Sequence, residues 1–244
     1  MSEFPEEFRN RHGERIDAAY HPAAKTNRLV ILGHGVTGNK DRPLQVAMAE
    51  GLAAKGWPCL RISFSGNGES DGRFEDATIT KESEDLYDVI EYIPKDVRIA
   101  YCGHSMGGAV GLTAASLFQR IEVLVTLAGM VFTEDFLERE FGDVVPDEGC
   151  MWDEEDCPLS RNYVDDMESI GDLLDEAAEL HRPYLLVHGT ADDVVPPEDS
   201  EQAHDHASEP KKLVWIDGAG HLFEESGLEE VVEAVSAWLE KHLP

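Results

Sequence analysis

One serine in this chain sits in a setting suited to nucleophilic chemistry. Ile99-Ala100-Tyr101-Cys102 is an apolar run of strand character, followed by Gly103-His104-Ser105-Met106-Gly107-Gly108-Ala109 and a helix of small residues. A strand turning sharply into a helix strains the turn residue towards positive φ, and neighbouring side chains would collide there. Gly103 and Gly107 keep that elbow clear. Ser105 is thereby presented above a sheet at a helix N-terminus, where unpaired N–H groups favour developing negative charge. The plain alternative is a glycine-rich turn with a capping serine.

A serine that attacks a carbonyl needs donors for the oxyanion, a base, and a carboxylate that holds the base in its tautomer. Three other strand ends carry these residue types. Gly33-His34-Gly35-Val36-Thr37-Gly38 follows the run Arg28 to Leu32. The N–H groups of Val36 and Met106 are the expected oxyanion pair, with Gly35 the neighbouring alternative to Val36. No Gly-Lys-Ser/Thr follows, so a phosphate loop fits poorly. His188-Gly189-Thr190-Ala191-Asp192-Asp193 supplies the acid, Asp192 before Asp193. Asp217-Gly218-Ala219-Gly220-His221 supplies the base, His221. With 50 acidic residues and 10 histidines in 244, no single Asp or His is informative. Their order is: Ser105, Asp192 and His221 each follow a separate strand-like run.

These groups need a scaffold that brings distant strand ends together. Phe8 to Asn10 and Arg15 to Tyr20 flank His12-Gly13-Glu14 and predict an opening hairpin. Strands are expected at 28–32, 57–64, 97–102, 121–127, 183–187 and 211–216. Helices are expected at 41–55, 80–92, 106–119, 197–207 and 228–242, where apolar residues recur at three and four. Such alternation predicts an α/β fold with a mostly parallel central sheet and helices on both faces. The rhythm breaks between about 131 and 181, which reads as a short lid insertion within one domain spanning 1–244. A structureless loop of that length would be improbable, so short helices are expected in it. Trp152, Met151 and Phe132, with Phe136, Leu137, Phe141 and Tyr163, are candidates for an apolar lid over an acyl or aromatic group. They could equally form the small core of the insertion.

Composition narrows the partners. Twenty basic against 50 acidic residues give a net charge of −30, which argues against nucleic acid and anionic membranes. It also predicts repulsion of polyanionic substrates and a fold stabilised by salt. No apolar run approaches the ~18 residues of a membrane span. The acidic start Met1-Ser2-Glu3-Phe4-Pro5-Glu6-Glu7 lacks the apolar core of a secretory signal, so a cytoplasmic location is expected. Cys59 and Cys102 sit in apolar runs as buried thiols. Cys150 and Cys157 are expected to stay reduced in that compartment, and no matching Cys/His pair makes them a zinc site.

With the motifs Gly33-His34-Gly35, Gly103-His104-Ser105-Met106-Gly107-Gly108, His188-Gly189-Thr190-Ala191-Asp192-Asp193-Val194-Val195-Pro196 and Gly218-Ala219-Gly220-His221, the chain resembles the α/β-hydrolase superfamily over nearly its whole length. Ser63-Phe64-Ser65-Gly66-Asn67-Gly68-Glu69-Ser70 also looks like the family's Asp-x-x-Gly-x-Gly-x-Ser loop, with Ser63 or Ser65 standing where an acid or arginine is common. Within the superfamily it is similar to small cytoplasmic serine esterases of the cinnamoyl-esterase and monoacylglycerol-lipase type. The resemblance implies the α/β-hydrolase fold and ester hydrolysis through a Ser105–His221–Asp192 triad, with no metal or organic cofactor. The expected partner is a small-molecule ester, with a homodimer left open. Ser105 disfavours a haloalkane dehalogenase, which needs Asp there, and a dienelactone hydrolase, which usually has Cys. The remaining alternatives are a serine aminopeptidase or amide hydrolase, and a non-catalytic ligand-binding relative.

Overall fold

The computed structural model describes residues 7–224 and 227–244; the acidic stretch 1–6 read above lies outside them. Two short strands, β1 (Phe8–Arg9) and β2 (Arg15–Ile16), pair antiparallel. Then come β3 (Ala18–His21), β4 (Arg28–Gly33), α1 (Pro43–Ala54), β5 (Cys59–Ile62), α2 (Ile79–Tyr92), β6 (Arg98–His104), α3 (Met106–Leu117) and β7 (Ile121–Leu127). Next are α4 (Thr133–Phe141), α5 (Arg161–Ile170) and α6 (Leu174–Glu179), then β8 (Tyr184–Gly189), α7 (Pro197–His206), β9 (Lys211–Ile216) and α8 (Gly227–His242).

The expected alternation is present, with ends shifted by a few residues. The opening hairpin is shorter than its sequence suggests. Ala18–His21 leaves β2 and pairs antiparallel with Cys59–Ile62 instead. Long-range pairing at the sheet edge satisfies more backbone groups than extending a two-strand hairpin would.

Among the described residues the main sheet runs β3-β5-β4-β6-β7-β8-β9, parallel except at β3. Because side chains alternate along a strand, each buried strand feeds two cores. Leu29, Ile31, Ile99 and Tyr101 pack on the side of α2, α3 and the 131–181 segment. Val30, Leu32, Ala100 and Cys102 pack on the side of α1 and α8, with Met48, Leu52, Val235 and Leu239. Gly33 is in register with Gly103, and Gly103 with Thr126. The C-terminal strand ends therefore lie along one edge of the sheet, where open parallel sheets bind ligands.

The segment between β7 and β8 folds as the three helices α4, α5 and α6 with a turn of 3-10 helix at Met151–Asp153. Phe136, Leu137, Phe141, Tyr163 and Met167 bury together with Met106 and Leu112. The aromatic residues of α4 and α5 are thus buried in the core on that side of the sheet, with the Tyr163 hydroxyl 3.6 Å from Met106 Sδ. All four cysteines are free thiols, and no described helix is long and apolar enough to cross a membrane.

Candidate active site

Ser105 stands between β6 and α3 with φ 55° and ψ −121°, a strained conformation that costs a non-glycine residue about 1–3 kcal/mol. The strain is held from several sides. Its N–H donates to Leu127 O at 3.0 Å, and its carbonyl accepts from Gly108 N–H at 2.8 Å and Met130 N–H at 3.1 Å. The glycines of the elbow are required by close approach. A Cβ on Gly103 would lie 2.0 Å from Gly107 O, and one on Gly107 would lie 2.6 Å from His34 O.

The loop after β4 comes up against this serine. A Cβ on Gly35 would sit 2.9 Å from Ser105 Cβ, so only glycine fits there. The loop is pinned by His34, which is buried. Its Nδ1 lies 2.9 Å from Gly35 O, and its Nε2 accepts from Phe64 N–H at 3.0 Å. Burial pushes its pKa down to about 4, so the ring stays neutral and keeps one donor and one acceptor. Val36 lines the cleft next to Gly35. Met106 opens α3, so its N–H has no partner inside the helix.

Asp192 and His221 arrive from the loops after β8 and β9. His221 Nδ1 lies 2.8 Å from Asp192 Oδ2, which leaves His221 Nε2 as the ring's free nitrogen. Asp192 Oδ1 accepts from the N–H groups of Val194 at 2.9 Å and Val195 at 3.0 Å. Burial works to raise the Asp192 pKa, but hydrogen bonds from His188 and His221 outweigh it and hold the carboxyl well below its usual range. Asp193 is exposed at the rim of the cleft and makes no such contact.

Two further histidines belong to this site and carried no assignment from sequence. His188, fully buried, places Nε2 3.1 Å from Asp192 Oδ2 and 3.0 Å from Val195 O. Both partners are acceptors, so Nε2 carries the proton and Nδ1 accepts from Ser200 Oγ at 2.7 Å. Its spacing of four from Asp192 in His-Gly-x-x-Asp was the available signal. His104 places Nε2 2.9 Å from His221 O, and its ring packs on the His221 ring at 4.7 Å. Burial, then the neighbouring His221, push the His104 pKa down to about 3.

Ser105, His221, Val36 and Trp152 line one cleft of about 860 Å³, together with Arg42, Leu222 and Val194. No hydrogen bond joins Ser105 to His221 in this state, among the described residues. Catalytic contacts often tighten only when substrate binds. Of the seven lid candidates, Trp152 alone lines the cleft. Its backbone φ is 48° and its side chain is exposed, while Nε1 donates to Glu140 at 3.1 Å and the ring stands edge-on to Phe141. Met151 points into the core, and Phe132 is half-buried, bridged to Asp172. The Asp199 carboxylate accepts from Val131 N–H at 3.1 Å and tethers the start of this segment. Among the described residues no group of three or more His, Cys, Asp or Glu is placed to hold a metal ion.

Comparison with known proteins agrees with this architecture. The profile of the alpha/beta hydrolase family matches residues 29–234. The chain belongs to that family. Among solved structures it is similar to Est1E from Butyrivibrio proteoclasticus with ferulic acid bound. The TM-score is 0.86 and the identity 30%, over 98% of this chain and 99% of that one. It is 29% identical to the uncharacterized protein Rv2307c of Mycobacterium tuberculosis, over 86% of this chain and 69% of that protein. It is also 29% identical to the human mitochondrial palmitoyl-protein thioesterase ABHD10, over 66% of this chain and 55% of that protein. Relatives of this chain therefore include a palmitoyl-protein thioesterase.

Proposed function

We propose that this hydrolase is a serine carboxylic-ester hydrolase acting on small or medium acyl esters, aromatic acyl groups included. The observation that carries the reading is the pairing of His221 Nδ1 with Asp192 Oδ2 at 2.8 Å, on a ring that shares its cleft with the strained Ser105. A histidine whose Nδ1 proton is fixed by a carboxylate offers Nε2 as a base.

In this reading His221 Nε2 takes the hydroxyl proton as Ser105 Oγ attacks the ester carbonyl. The N–H groups of Val36 and Met106 hold the oxyanion. His221 then gives the proton to the departing alcohol. Water, deprotonated by the same ring, cleaves the acyl-enzyme and frees the acid. Asp192 remains ionised and stabilises the imidazolium, consistent with its low pKa. No step calls on a metal or organic cofactor.

The chain acts as one domain in which residues 131–181 form the lid, and Trp152 supplies a flat apolar wall for an aromatic or alkyl acyl group. Similarity to Est1E, whose structure contains ferulic acid, supports the aromatic option. The substrate is a small molecule met in the cytoplasm; the charge of −30 disfavours nucleic acid and anionic membrane as partners.

The test is a fluorophosphonate probe with turnover of a short p-nitrophenyl ester. Wild type should label at Ser105 and turn over, and Ser105→Ala should lose both while its melting temperature stays close. Full residual turnover in Ser105→Ala refutes the assignment. An amide of the same acyl group should react far more slowly.

A further inference from the structure

We propose that Arg42 is the anchor for a substrate carboxylate, so that the preferred esters carry an anionic group remote from the bond that breaks. The inference rests on the ester-hydrolase reading and names the substrate class within it. Among the described residues lining the cleft, Arg42 is the single arginine or lysine. It is exposed at the start of α1 and donates through Nη2 to Thr37 O at 2.9 Å, in the loop that reaches Ser105. That contact fixes the guanidinium in place and uses one of its five N–H donors.

Arg42 has no carboxylate partner among the described residues. The chain has 50 acids for 20 bases, and most other basic side chains hold ion pairs. The adjacent Asp41 turns instead to Lys40 at 2.5 Å and Arg61 at 3.0 Å. Among the described residues no carboxylate lies within ion-pair distance of Arg42. A planar fork of this kind matches a carboxylate through two parallel N–H···O bonds.

The cleft also carries acids. Asp193 and Glu224 line it from the loops after β8 and β9. Arg42 comes from the loop after β4, and β6, which ends at Ser105, runs between those strands in the sheet. A carboxylate is attracted to Arg42 and repelled by Asp193 and Glu224, which favours binding that sets it against the guanidinium. The overall negative field opposes polyanions, so the class expected is a single carboxylate on an otherwise uncharged ester.

Two pairs of esters test this. Mono-p-nitrophenyl adipate against p-nitrophenyl hexanoate places the carboxylate on the acyl side. The carboxylate 4-(hexanoyloxy)benzoate against its methyl ester places it on the alcohol side. In Arg42→Gln the anionic-to-neutral ratio of kcat/KM should fall about tenfold or more in at least one pair, the size of one charge-assisted pair. The fall should come through KM, be partly restored in Arg42→Lys, and shrink at high salt. Unchanged ratios in both pairs overturn the proposal. If wild type turns over none of the four esters, the hydrolase reading fails separately. Calorimetric titration of Ser105→Ala and Ser105→Ala/Arg42→Gln with monomethyl adipate then decides the anion site. Binding lost with Arg42 supports it; equal or absent binding overturns it.

Discussion

His188 and His221 meet on a single oxygen of Asp192, with Nε2 of the first 3.1 Å and Nδ1 of the second 2.8 Å from Oδ2. One imidazole faces the cleft, and the other is sealed beneath it against Ser200 and Val195. Asp192 is thereby held from below while it orients His221 above. Its second oxygen is occupied by two backbone N–H groups, so the carboxylate has little freedom to turn.

Replacing His188 by Phe keeps ring volume and removes that lower clamp. Leaving buried polar partners unmet should cost about 1–3 kcal/mol of stability, measured by denaturant unfolding. Asp192 Oδ2 would then direct more of its charge at His221 and stabilise its imidazolium. The acid limb of the kcat/KM profile should therefore move to higher pH. A limb that stays in place, with kcat unchanged, would show that His188 is only packing.

In the proposed triad two adjacent carboxylates are candidates for the acid, and of the two Asp192 contacts His221. Asp192→Asn should lower kcat by about 10³–10⁴-fold, as loss of the tautomer-fixing carboxylate does elsewhere. Asp193→Asn should lose far less, because Asp193 is exposed and does not touch His221. Steady-state rates on one p-nitrophenyl ester compare them directly, and equal losses would contradict the pairing.

Glu82 is buried with Oε2 unpartnered and Oε1 accepting from Asn67 at 3.2 Å. Burial, then the neighbouring Asp85, raise its pKa well above the ordinary value. The folded state thus keeps a proton that the unfolded chain releases, and stability falls as pH rises through that window. Asp192 has the opposite sign: its contribution is present above the ordinary Asp value and is lost only in strong acid. Glu82→Gln should therefore melt higher than wild type at pH 8, by about 2–4 °C for each kcal/mol recovered. The gap should close towards pH 4.5. Asp85 and Asp199, raised as well by burial, leave a residual slope in both proteins. A pH-independent gap would exclude the linkage.

A charge of −30 on 244 residues makes the folded chain repel itself, and salt shortens the reach of that repulsion to about 10 Å at 0.1 M. The melting temperature should climb from low salt to molar KCl. Sucrose at matched viscosity should not reproduce the whole increase. A melting temperature indifferent to salt would mean that the acids are already neutralised in pairs.

Local rules determined much of this molecule. The 3.6 period located the helices, short apolar runs located the buried strands, and glycine spacing marked the elbow at Ser105, because these depend on neighbours a few residues away. Chain order pointed to Asp192 and His221, which the fold places 2.8 Å apart. What depended on tertiary structure was the set of contacts between segments far apart in sequence. Ala18–His21 exchanged a hairpin for Cys59–Ile62. Trp152 came to line the cleft while Met151 was buried in the core. His104, His188 and Arg42 acquired their surroundings only when the loops after β4, β6, β8 and β9 converged on one edge. Nothing in a residue's own sequence window records which side chain from a hundred positions away will face it; close packing of the sheet and its two layers decides that.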